Sequence, residues 1–473
     1  MPRRLMTVLL ILFVSRNTLA QSTQPTTAPS APSAAPSAAQ ALYERVSPAL
    51  VVVQFTYEGE LGRRELHGVG TVVSSDGLVM FSMGLTPSQV PDEQMKDFKV
   101  LIPGDAETEL EAQFQGRDER TSLAFVKVTE SRDWKPIKFE DAPVRVGEPL
   151  TSIGILPKDA GYKAYLTFPR VSANLRGPVS QVLVTADGLS GVGSPVFNEA
   201  GQAVGFVHQQ MDQTPLLDTD PREPFPFVIN PPRFFTPASD FLIGIQDPPL
   251  ADRPVRMPSV GVSNLSGLKK EVAEYFGLKD PAVQVGDVIP NFPGDKAGLK
   301  SGDVIVKMNG QPLERGDEPD ETPQIMTRRI GRMKVGETVT FTVLRGSKDA
   351  PLKDIIVTLQ ERPKPVSKAK RFWAEDLGFS TREIVFDDTY GRRLPADTKG
   401  VIVALVKPGS AAQAQDRLRG GDLIQQINQT PVEGLDQFKE QYQQFRKTNP
   451  SDAVVLEVLR GVNTQVVRIE PPQ

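Results

Sequence analysis

The sequence predicts a mainly β protein in which an all-β barrel or sandwich is followed by two smaller domains that resemble each other. Short β-branched runs separated by turn signals fill the first half of the chain, for example Gly70 to Ser74 and Val182 to Thr185. Runs at this spacing, with few helical stretches between them, are typical of a barrel or a sandwich. The second half repeats one pattern twice, and a repeat of about 100 residues predicts two copies of one domain.

Composition narrows the possible functions before any motif is considered. The 473 residues suggest about three domains. A formal net charge of -4 is too small to indicate a nucleic-acid partner. The chain has no cysteine, which excludes disulfides, thiolate metal sites and a cysteine nucleophile. Any imidazole base must be His67 or His208, and no metal or cofactor site is predicted.

The N-terminal residues predict export. Arg3 and Arg4 precede an apolar run from Leu5 to Val14, and Thr18-Leu19-Ala20 offers a signal-peptidase site. We therefore expect residues 1–20 to be a signal peptide, with an uncleaved anchor as the alternative, and a periplasmic or secreted mature protein. Residues 21–39 are almost all Ser, Thr, Ala, Pro and Gln and predict a disordered linker. No other stretch is long and apolar enough to predict an integral membrane span.

The repeat in the second half spans strand, turn and helix. Each copy carries Gly-Asp followed by apolar residues, then an Asn-led turn, a helical stretch and a strand that ends in Leu-Arg-Gly. The matched segments are Gly302 to Ile305 and Gly421 to Ile424, the turns Asn309-Gly310 and Asn428-Gln429, the helical stretches Thr322 to Met333 and Leu435 to Phe445, and the final strands Val339 to Gly346 and Val454 to Gly461.

This repeated pattern resembles PDZ domains in the circularly permuted form found in bacterial proteases. The resemblance implies that each copy binds an extended peptide as an added strand and holds its terminal carboxylate in a nest of backbone N–H groups. A glycine between apolar residues allows such a nest to close on the anion. The candidates are Val260, Gly261 and Val262 in the first copy, and Leu377, Gly378 and Phe379 in the second. The alternative is that both are ordinary buried strand starts.

The first half resembles the protease domain of the HtrA/Deg family. The resemblance rests on Ser47 to Val53, on Gly68 to Met80 and on Gly193 to Gly205. It implies a chymotrypsin-like double β-barrel followed by two α+β PDZ domains. We expect the protease-like domain at residues 40–246, the first PDZ domain at 255–362 and the second at 371–473.

The catalytic triad of that family is not present at the matching positions. The family needs a nucleophilic serine, a histidine base and a buried aspartate that orients the imidazole. Here Gly84 stands at the histidine position, Ser122 at the aspartate position and Val192 at the serine position. Neither glycine nor valine has a side-chain proton to transfer, and a hydroxyl cannot be the charged partner of an imidazolium. The resemblance also implies that the three positions lie together in the cleft between the barrels.

The sequence thus predicts an exported, HtrA-type scaffold or adaptor with a degenerate protease domain, acting in envelope protein quality control. Its expected partners are C-terminal or unfolded peptide segments of other proteins. The resemblance further implies a trimer-based homo-oligomer, or a hetero-oligomer with active relatives. Two alternatives stay open: an active serine endopeptidase with a relocated triad, using Ser190 or Ser194, and a structural subunit of an HtrA-like oligomer.

Overall fold

The computed structural model describes residues 37–472, apart from 61, 87–89, 178, 186–187, 209–232, 317–319 and 415–416. The predicted signal peptide and residues 21–36 of the predicted linker lie outside the described residues. The first described element is helix α1 (Ala38–Val46), which begins after Ser37, whose side chain accepts a hydrogen bond from the Gln40 N–H at 3.2 Å. Leu42 and Val46 of this helix are buried against the first strands.

Six antiparallel strands close into a barrel in the order β1-β2-β3-β6-β5-β4. They are β1 (Leu50–Gly59), β2 (Gly62–Val72), β3 (Leu78–Ser82), β4 (Met95–Ile102), β5 (Asp105–Asp118) and β6 (Leu123–Val128). The continuous apolar runs of β3 and β6 are buried throughout their central residues, because the closed sheet packs one face inward and covers the other. Phe55, Phe81 and Phe125 are among the largest fully buried side chains of this core.

A seven-stranded sheet of order β8-β7-β11-β12-β13-β10-β9 follows the barrel. Its strands are β7 (Thr151–Ile155), β8 (Ala164–Thr167), β9 (Val171–Leu175), β10 (Gln181–Val184), β11 (Pro195–Phe197), β12 (Ala203–Phe206) and β13 (Arg233–Pro237). Valines dominate its core, with Phe235 at the centre. A 3-10 turn (Ala238–Asp240) and helix α2 (Leu242–Gln246) end the unit.

The first repeat copy folds around a separate apolar core. Its elements are β14 (Pro258–Ser259), β15 (Val262–Ser263), β16 (Ser266–Gly267), α3 (Lys270–Tyr275), β17 (Val283–Gln284), β18 (Asp287–Val288), α4 (Pro293–Ala297), β19 (Val304–Met308), β20 (Gln311–Pro312), α5 (Glu321–Gly331), β21 (Thr338–Leu344), β22 (Lys353–Thr358) and β23 (Gln360–Glu361). The short strand β14 pairs with β23 at the end of the domain.

The second copy also has its own core, centred on Phe379, Phe438 and Tyr442. Its elements are β24 (Arg371–Ala374), β25 (Phe379–Arg382), α6 (Phe386–Gly391), β26 (Val401–Val406), β27 (Leu423–Ile427), β28 (Thr430–Pro431), α7 (Leu435–Thr448), β29 (Val454–Arg460) and β30 (Asn463–Ile469). The main sheet runs β24-β25-β26-β27-β29-β30. In both copies the strand ending in Leu-Arg-Gly is followed by one more antiparallel strand, β22 or β30.

The two repeated motifs of each copy are joined by a salt bridge. Arg345 of the first Leu-Arg-Gly binds both carboxylate oxygens of Asp303, at 2.6 and 2.7 Å. Arg460 binds Asp422 in the same way, at 2.8 and 2.7 Å. Both aspartates are fully buried, and each also accepts a main-chain N–H three residues before it in the sequence. The repeat therefore preserves a bidentate pair that fixes the last long strand against the Gly-Asp turn.

Candidate functional site

The loop that carries Gly84 lies where the barrel meets the second sheet. Gly84 is exposed within a 3-10 turn (Met83–Leu85) directly after β3. The Ser82 hydroxyl accepts a hydrogen bond from the Gly84 N–H at 3.2 Å and donates one to the His208 main-chain oxygen at 2.6 Å. The turn is thereby fixed to the residue that follows β12 closely in the second sheet.

Ser122 lies in the adjacent loop, between β5 and β6. Its main-chain oxygen accepts a hydrogen bond from the Met83 N–H at 3.0 Å, so the loop contacts the residue before Gly84. Ser122 has a φ of 58°, the left-handed region, which aspartate and asparagine enter more readily than most residues. Its side chain is exposed.

Val192 lies in the loop before β11, and this loop contacts the same segment of the second sheet. The Gly193 N–H donates to the Val207 oxygen at 2.7 Å, and the Val207 N–H donates to the Ser194 oxygen at 3.0 Å. Gly193 has a φ of 96°, and a Cβ there would lie 2.4 Å from the Val69 oxygen, so only glycine fits. Val192 itself is 41 % exposed. Through Val207 and its neighbour His208, the structure brings the three candidate loops to one junction.

None of the three positions holds the residue that the family's triad has there. Gly84 has no side chain, Ser122 has an exposed hydroxyl and Val192 has an isopropyl group. A triad needs a hydroxyl, an imidazole and a carboxylate that are hydrogen-bonded one to the next. His208 is close by, but it is buried, with its ring against Phe206 at 5.1 Å and Phe241 at 5.9 Å between centroids. Burial lowers the pKa of His208 to about 4, and the nearby Ser122 main chain offsets this only in part. The buried imidazole is therefore uncharged at neutral pH.

The two serines that flank Val192 face the interior of the second sheet. The Ser190 hydroxyl lies 3.4 Å from the Thr167 hydroxyl, and Ser194 is fully buried beside it. A Cβ at Gly154 of β7 would contact both serine side chains, at 2.7 and 2.9 Å. His67 contacts Tyr162 at 3.4 Å and Glu65 at 3.1 Å. Across the described ranges of the chain, neither histidine ring forms a hydrogen bond with Ser190 or Ser194.

The first candidate carboxylate nest borders an open groove. Val260 is buried, Gly261 has a φ of 80°, and Val262 begins β15. A Cβ at Gly261 would lie 2.2 Å from the Phe292 Cβ, so this close approach requires glycine. The groove, about 470 Å³ in volume, lies between the segment that starts at Val262 and helix α5. It is lined by Val262, Ser263, Asn264, Leu265, Pro323, Gln324, Thr327, Arg328 and Gly331, with Met257 and with Glu119 and Arg120 of the barrel at one side.

The second candidate nest is engaged by the chain itself. Leu377 and Phe379 are fully buried, and Gly378 has a φ of 74°. The Gly378 N–H donates to the Ala374 oxygen at 2.8 Å, at the end of β24. Strand β24 pairs antiparallel with β25 and covers the edge of β25 next to α7.

The groove helix of the first repeat copy is attached to the protease-like unit, a contact that the sequence did not predict. Arg328 of α5 and Arg332, the residue directly after this helix, both approach the Asp240 carboxylate, at 3.8 and 2.9 Å. The same carboxylate accepts the Ser180 N–H at 2.7 Å. Because these residues are far apart in the chain and belong to no repeated motif, nothing in the sequence signals the contact.

Among the residues described, no group of three or more His, Cys, Asp or Glu side chains could hold a metal ion. Likewise, none of the described helices has the length and apolar character required to cross a bilayer.

Three family models match separate parts of the chain. The trypsin-like peptidase domain matches residues 68–206. PDZ domain models match residues 260–357 and 373–459. The order and number of domains predicted from the sequence, and the mainly β fold class, are thereby confirmed. The match to the peptidase model includes the positions of Gly84 and Ser122 and the loop of Val192, and it describes the fold of this region.

Curated relatives are similar to this chain over most of its length. A probable periplasmic serine endoprotease DegP-like of Rhizobium meliloti (strain 1021) is 27 % identical over 406 residues, covering 84 % of this chain and 74 % of the relative. The corresponding protein of Pseudomonas putida (strain GB-1) is 27 % identical over 403 residues, covering 83 % and 76 %. These similarities support an HtrA/DegP-type family assignment.

Solved structures agree on the fold. The HtrA-type protease AlgW with tripeptide has a TM-score of 0.51 at 19 % identity, covering 70 % of this chain and 99 % of that chain. The same protease with decapeptide has a TM-score of 0.50 at 17 % identity, covering 70 % and 100 %.

Proposed function

We propose that this chain, whose similarities support the HtrA/DegP-type family, is an exported peptide-binding scaffold without peptidase activity. One observation carries the proposal: the loops of Gly84, Ser122 and Val192 meet at a single junction, and none of these three positions holds the residue that the family's triad needs there. Loss of triad members reduces peptide hydrolysis by several orders of magnitude. The fold of a serine peptidase is thus retained while its chemistry is not.

Peptide binding is supported by the groove beside α5. Its volume of about 470 Å³ and its position between β15 and α5 suit an extended segment added beside β15, with the terminal carboxylate near Gly261. The protease AlgW, which shares the fold, has been solved with a decapeptide and with a tripeptide. We therefore propose C-terminal or unfolded segments of other proteins as partners, in envelope protein quality control.

Export and assembly belong to the same proposal. The predicted signal peptide supports export, and the curated relatives are named as periplasmic proteins. We propose a trimer-based homo-oligomer or a hetero-oligomer with active relatives. The role of a purely structural subunit is the alternative, and it is separated from the scaffold role by the binding of free peptides.

Casein hydrolysis tests the loss of peptidase activity. The purified mature chain should leave casein intact under conditions where an active HtrA-type protease degrades it. Cleavage that disappears in a Ser190→Ala or a Ser194→Ala variant would establish a relocated nucleophile and overturn the proposal. Cleavage that is unchanged in both variants would identify a contaminating protease, which further purification should remove.

A blocked groove tests the binding role. Thr327 is exposed on α5 and lines the groove, so Thr327→Trp should fill it at little cost to the fold. Arg329→Trp is the matched control, because Arg329 is exposed on the same helix but does not line the groove. The chain is screened against a library of decapeptides with free C-termini, and each hit is repeated with its amidated form.

We expect Thr327→Trp to abolish binding, Arg329→Trp to retain it, and amidation to weaken it. A carboxylate held by main-chain N–H groups contributes about 1.5–3 kcal/mol, or roughly 10- to 100-fold in Kd. Equal binding of free and amidated peptides would contradict a carboxylate nest at Gly261. Absence of any binding peptide would favour the structural-subunit role.

A further inference from the structure

The peptide position of the second PDZ domain is occupied by a segment of the same chain. Strand β24 pairs with β25 in the register Arg371 to Arg382 through Ala374 to Phe379. The pairing is antiparallel, and β24 is the edge strand of the sheet. It runs with its C-terminal end toward the Leu377-Gly378-Phe379 loop, which is the direction of a peptide bound by strand addition with its carboxylate at that loop.

The side chains of β24 alternate as those of a bound peptide would. Phe372 packs edge-on against Phe438 and Tyr442 of α7, with ring centroids 6.2 and 5.7 Å apart. Ala374, two residues later on the same face of the strand, is buried. Trp373 lies between them on the opposite face, where it borders a cavity shared with the barrel. Pockets that accept alternate side chains are the basis of specificity in strand addition.

The nest also receives a substitute for the terminal carboxylate. The Ala374 carbonyl oxygen accepts a hydrogen bond from the Gly378 N–H at 2.8 Å. This N–H is one of the donors that the sequence predicts for the carboxylate of a bound peptide, and here it is bonded to the last residue of β24. The next turn is fastened to α7, because Asp376 accepts the Tyr442 hydroxyl at 2.5 Å and the Arg446 guanidinium at 2.6 Å. At the other end of β24, Arg371 approaches Glu60 of the barrel at 3.4 Å, and the Glu60 side chain is 5 % exposed.

The first PDZ domain has no such strand beside β15 among the described residues, although its Gly261 N–H also donates within the chain, to the Ser259 hydroxyl at 3.1 Å. There the strand before the nest, β14, pairs with β23 and not with β15. Within the described part of the chain, β15 pairs only with β18, which leaves its other edge facing the groove beside α5. Two copies of one fold thus pair the segment before the nest differently: β14 pairs with the last strand of its domain, whereas β24 pairs with the strand that follows the nest.

We infer that the ligand of the second PDZ domain is this chain's own segment Arg371–Ala374, so that external peptides bind the first PDZ domain alone until that segment leaves. A tethered segment is present at an effective concentration in the millimolar range, which a free peptide of similar affinity cannot match at micromolar concentration. The occupancy of the second groove does not depend on the loss of peptidase activity, whereas the part about the first domain rests on the proposed function.

Hydrogen exchange of the unmodified full-length chain tests the occupancy directly. The amides of Phe372 to Ala374, Gly378 and Phe379 to Arg382 should be protected in the absence of any ligand. Exchange of the β24 amides at the rate of an unfolded chain, while the β26 and β27 amides remain protected, would overturn the inference.

A pair of variants then tests whether the groove is functional once it is vacated. Phe372→Glu should expel β24, because it places a charge against Phe438 and Tyr442, whereas Trp373→Glu changes the opposite face and should leave β24 docked. The probe is a peptide with the sequence of Lys370 to Ala374 and a free C-terminal carboxylate, titrated by calorimetry into the full chain.

We expect the Phe372→Glu chain to bind the probe peptide at one more site than the unmodified chain or Trp373→Glu does. The affinity of the second PDZ domain for this peptide should be at least about tenfold tighter in Phe372→Glu than in the other two chains. Peptide binding should also protect the Phe379 to Arg382 amides in that variant only. If the peptide protects the Phe379 to Arg382 amides in the unmodified chain, the inference is overturned. It is also overturned if the Phe372→Glu chain is folded and its β24 amides exchange freely, but it gains no additional peptide site. Protection of the β26 and β27 amides establishes that the variant domain is folded.

Discussion

Arg332 donates two hydrogen bonds to Asp240, one to the main-chain oxygen and one to the carboxylate, each at 2.9 Å. The contact joins the groove helix of the first PDZ domain to the last turn of the protease-like domain. Asp240 is buried, and it also holds the Ser180 N–H. The peptide groove is therefore attached to the same domain that carries the junction of the Gly84, Ser122 and Val192 loops, directly after β13 of the second sheet.

Removal of this carboxylate should release the groove helix. In Asp240→Ala the partly buried Arg328 and Arg332 lose their counter-charge, and removal of one partner of a buried pair destabilises by about 3–5 kcal/mol. Hydrogen exchange should show faster opening of α5 and of the loop at Ser180. Asp97→Ala is the control, because the Arg63–Asp97 pair is exposed and should contribute less than about 1 kcal/mol. Similar exchange in α5 of both variants would show that the contact is not needed for docking.

Burial of His208 should make the protease-like domain less stable in acid. The pKa of this imidazole is lowered from 6.5 to about 4 by burial, with Arg328 lowering it further and Asp240 and the Ser122 main chain opposing the shift. Below pH 6.5 the unfolded chain binds a proton that the folded chain does not, so stability falls as the pH falls from about 6.5 to about 4. The loss amounts to roughly 3 kcal/mol and does not increase below that range.

The difference in free energy of unfolding between the unmodified chain and His208→Phe separates the contribution of His208 from that of the carboxylates. Phenylalanine suits the aromatic surroundings of Phe206 and Phe241 and binds no proton. The advantage of His208→Phe in free energy of unfolding should grow between pH 6.5 and pH 4, as measured by denaturant titration. The control is His67→Gln, at the other histidine. Its free energy of unfolding should still fall between pH 6.5 and pH 4, because His208 is unchanged. An advantage independent of pH would mean that His208 titrates normally.

The repeated salt bridges should stabilise each PDZ domain separately. Asp303→Ala leaves Arg345 without its bidentate partner and should destabilise the first PDZ domain by about 3 kcal/mol, and Asp422→Ala should do the same to the second through Arg460. Hydrogen exchange resolves the two domains, which a single unfolding midpoint does not. Each variant should increase exchange in its own domain only. Loss of protection in both domains from either change would contradict their independence.

The sequence predicts the architecture well because its signals are local. Strand runs, the two Gly-Asp turns and both groove helices appear where periodicity and turn residues placed them; the helix predicted at Leu435 to Phe445, for example, extends to Thr448. The pairing of Asp303 with Arg345 was accessible in principle, since both residues recur at matching positions of the repeat. No local signal reported the Asp240–Arg332 contact or the position of β24, because both depend on how distant segments pack. The apolar residues Phe372 and Leu377 predict buried strand positions in either case, so the sequence does not distinguish an ordinary edge strand from one that fills a peptide groove.

Labelling by a fluorophosphonate probe tests most directly whether this protease-like domain has lost its nucleophile. The probe forms a covalent bond with a serine only when a base activates the hydroxyl, so it reports an active site without knowledge of the substrate. The native chain should show no labelled serine by mass spectrometry under conditions that fully label an active HtrA-type protease. Stoichiometric labelling of Ser190, Ser194 or any other serine, abolished by its replacement with alanine, would contradict the account.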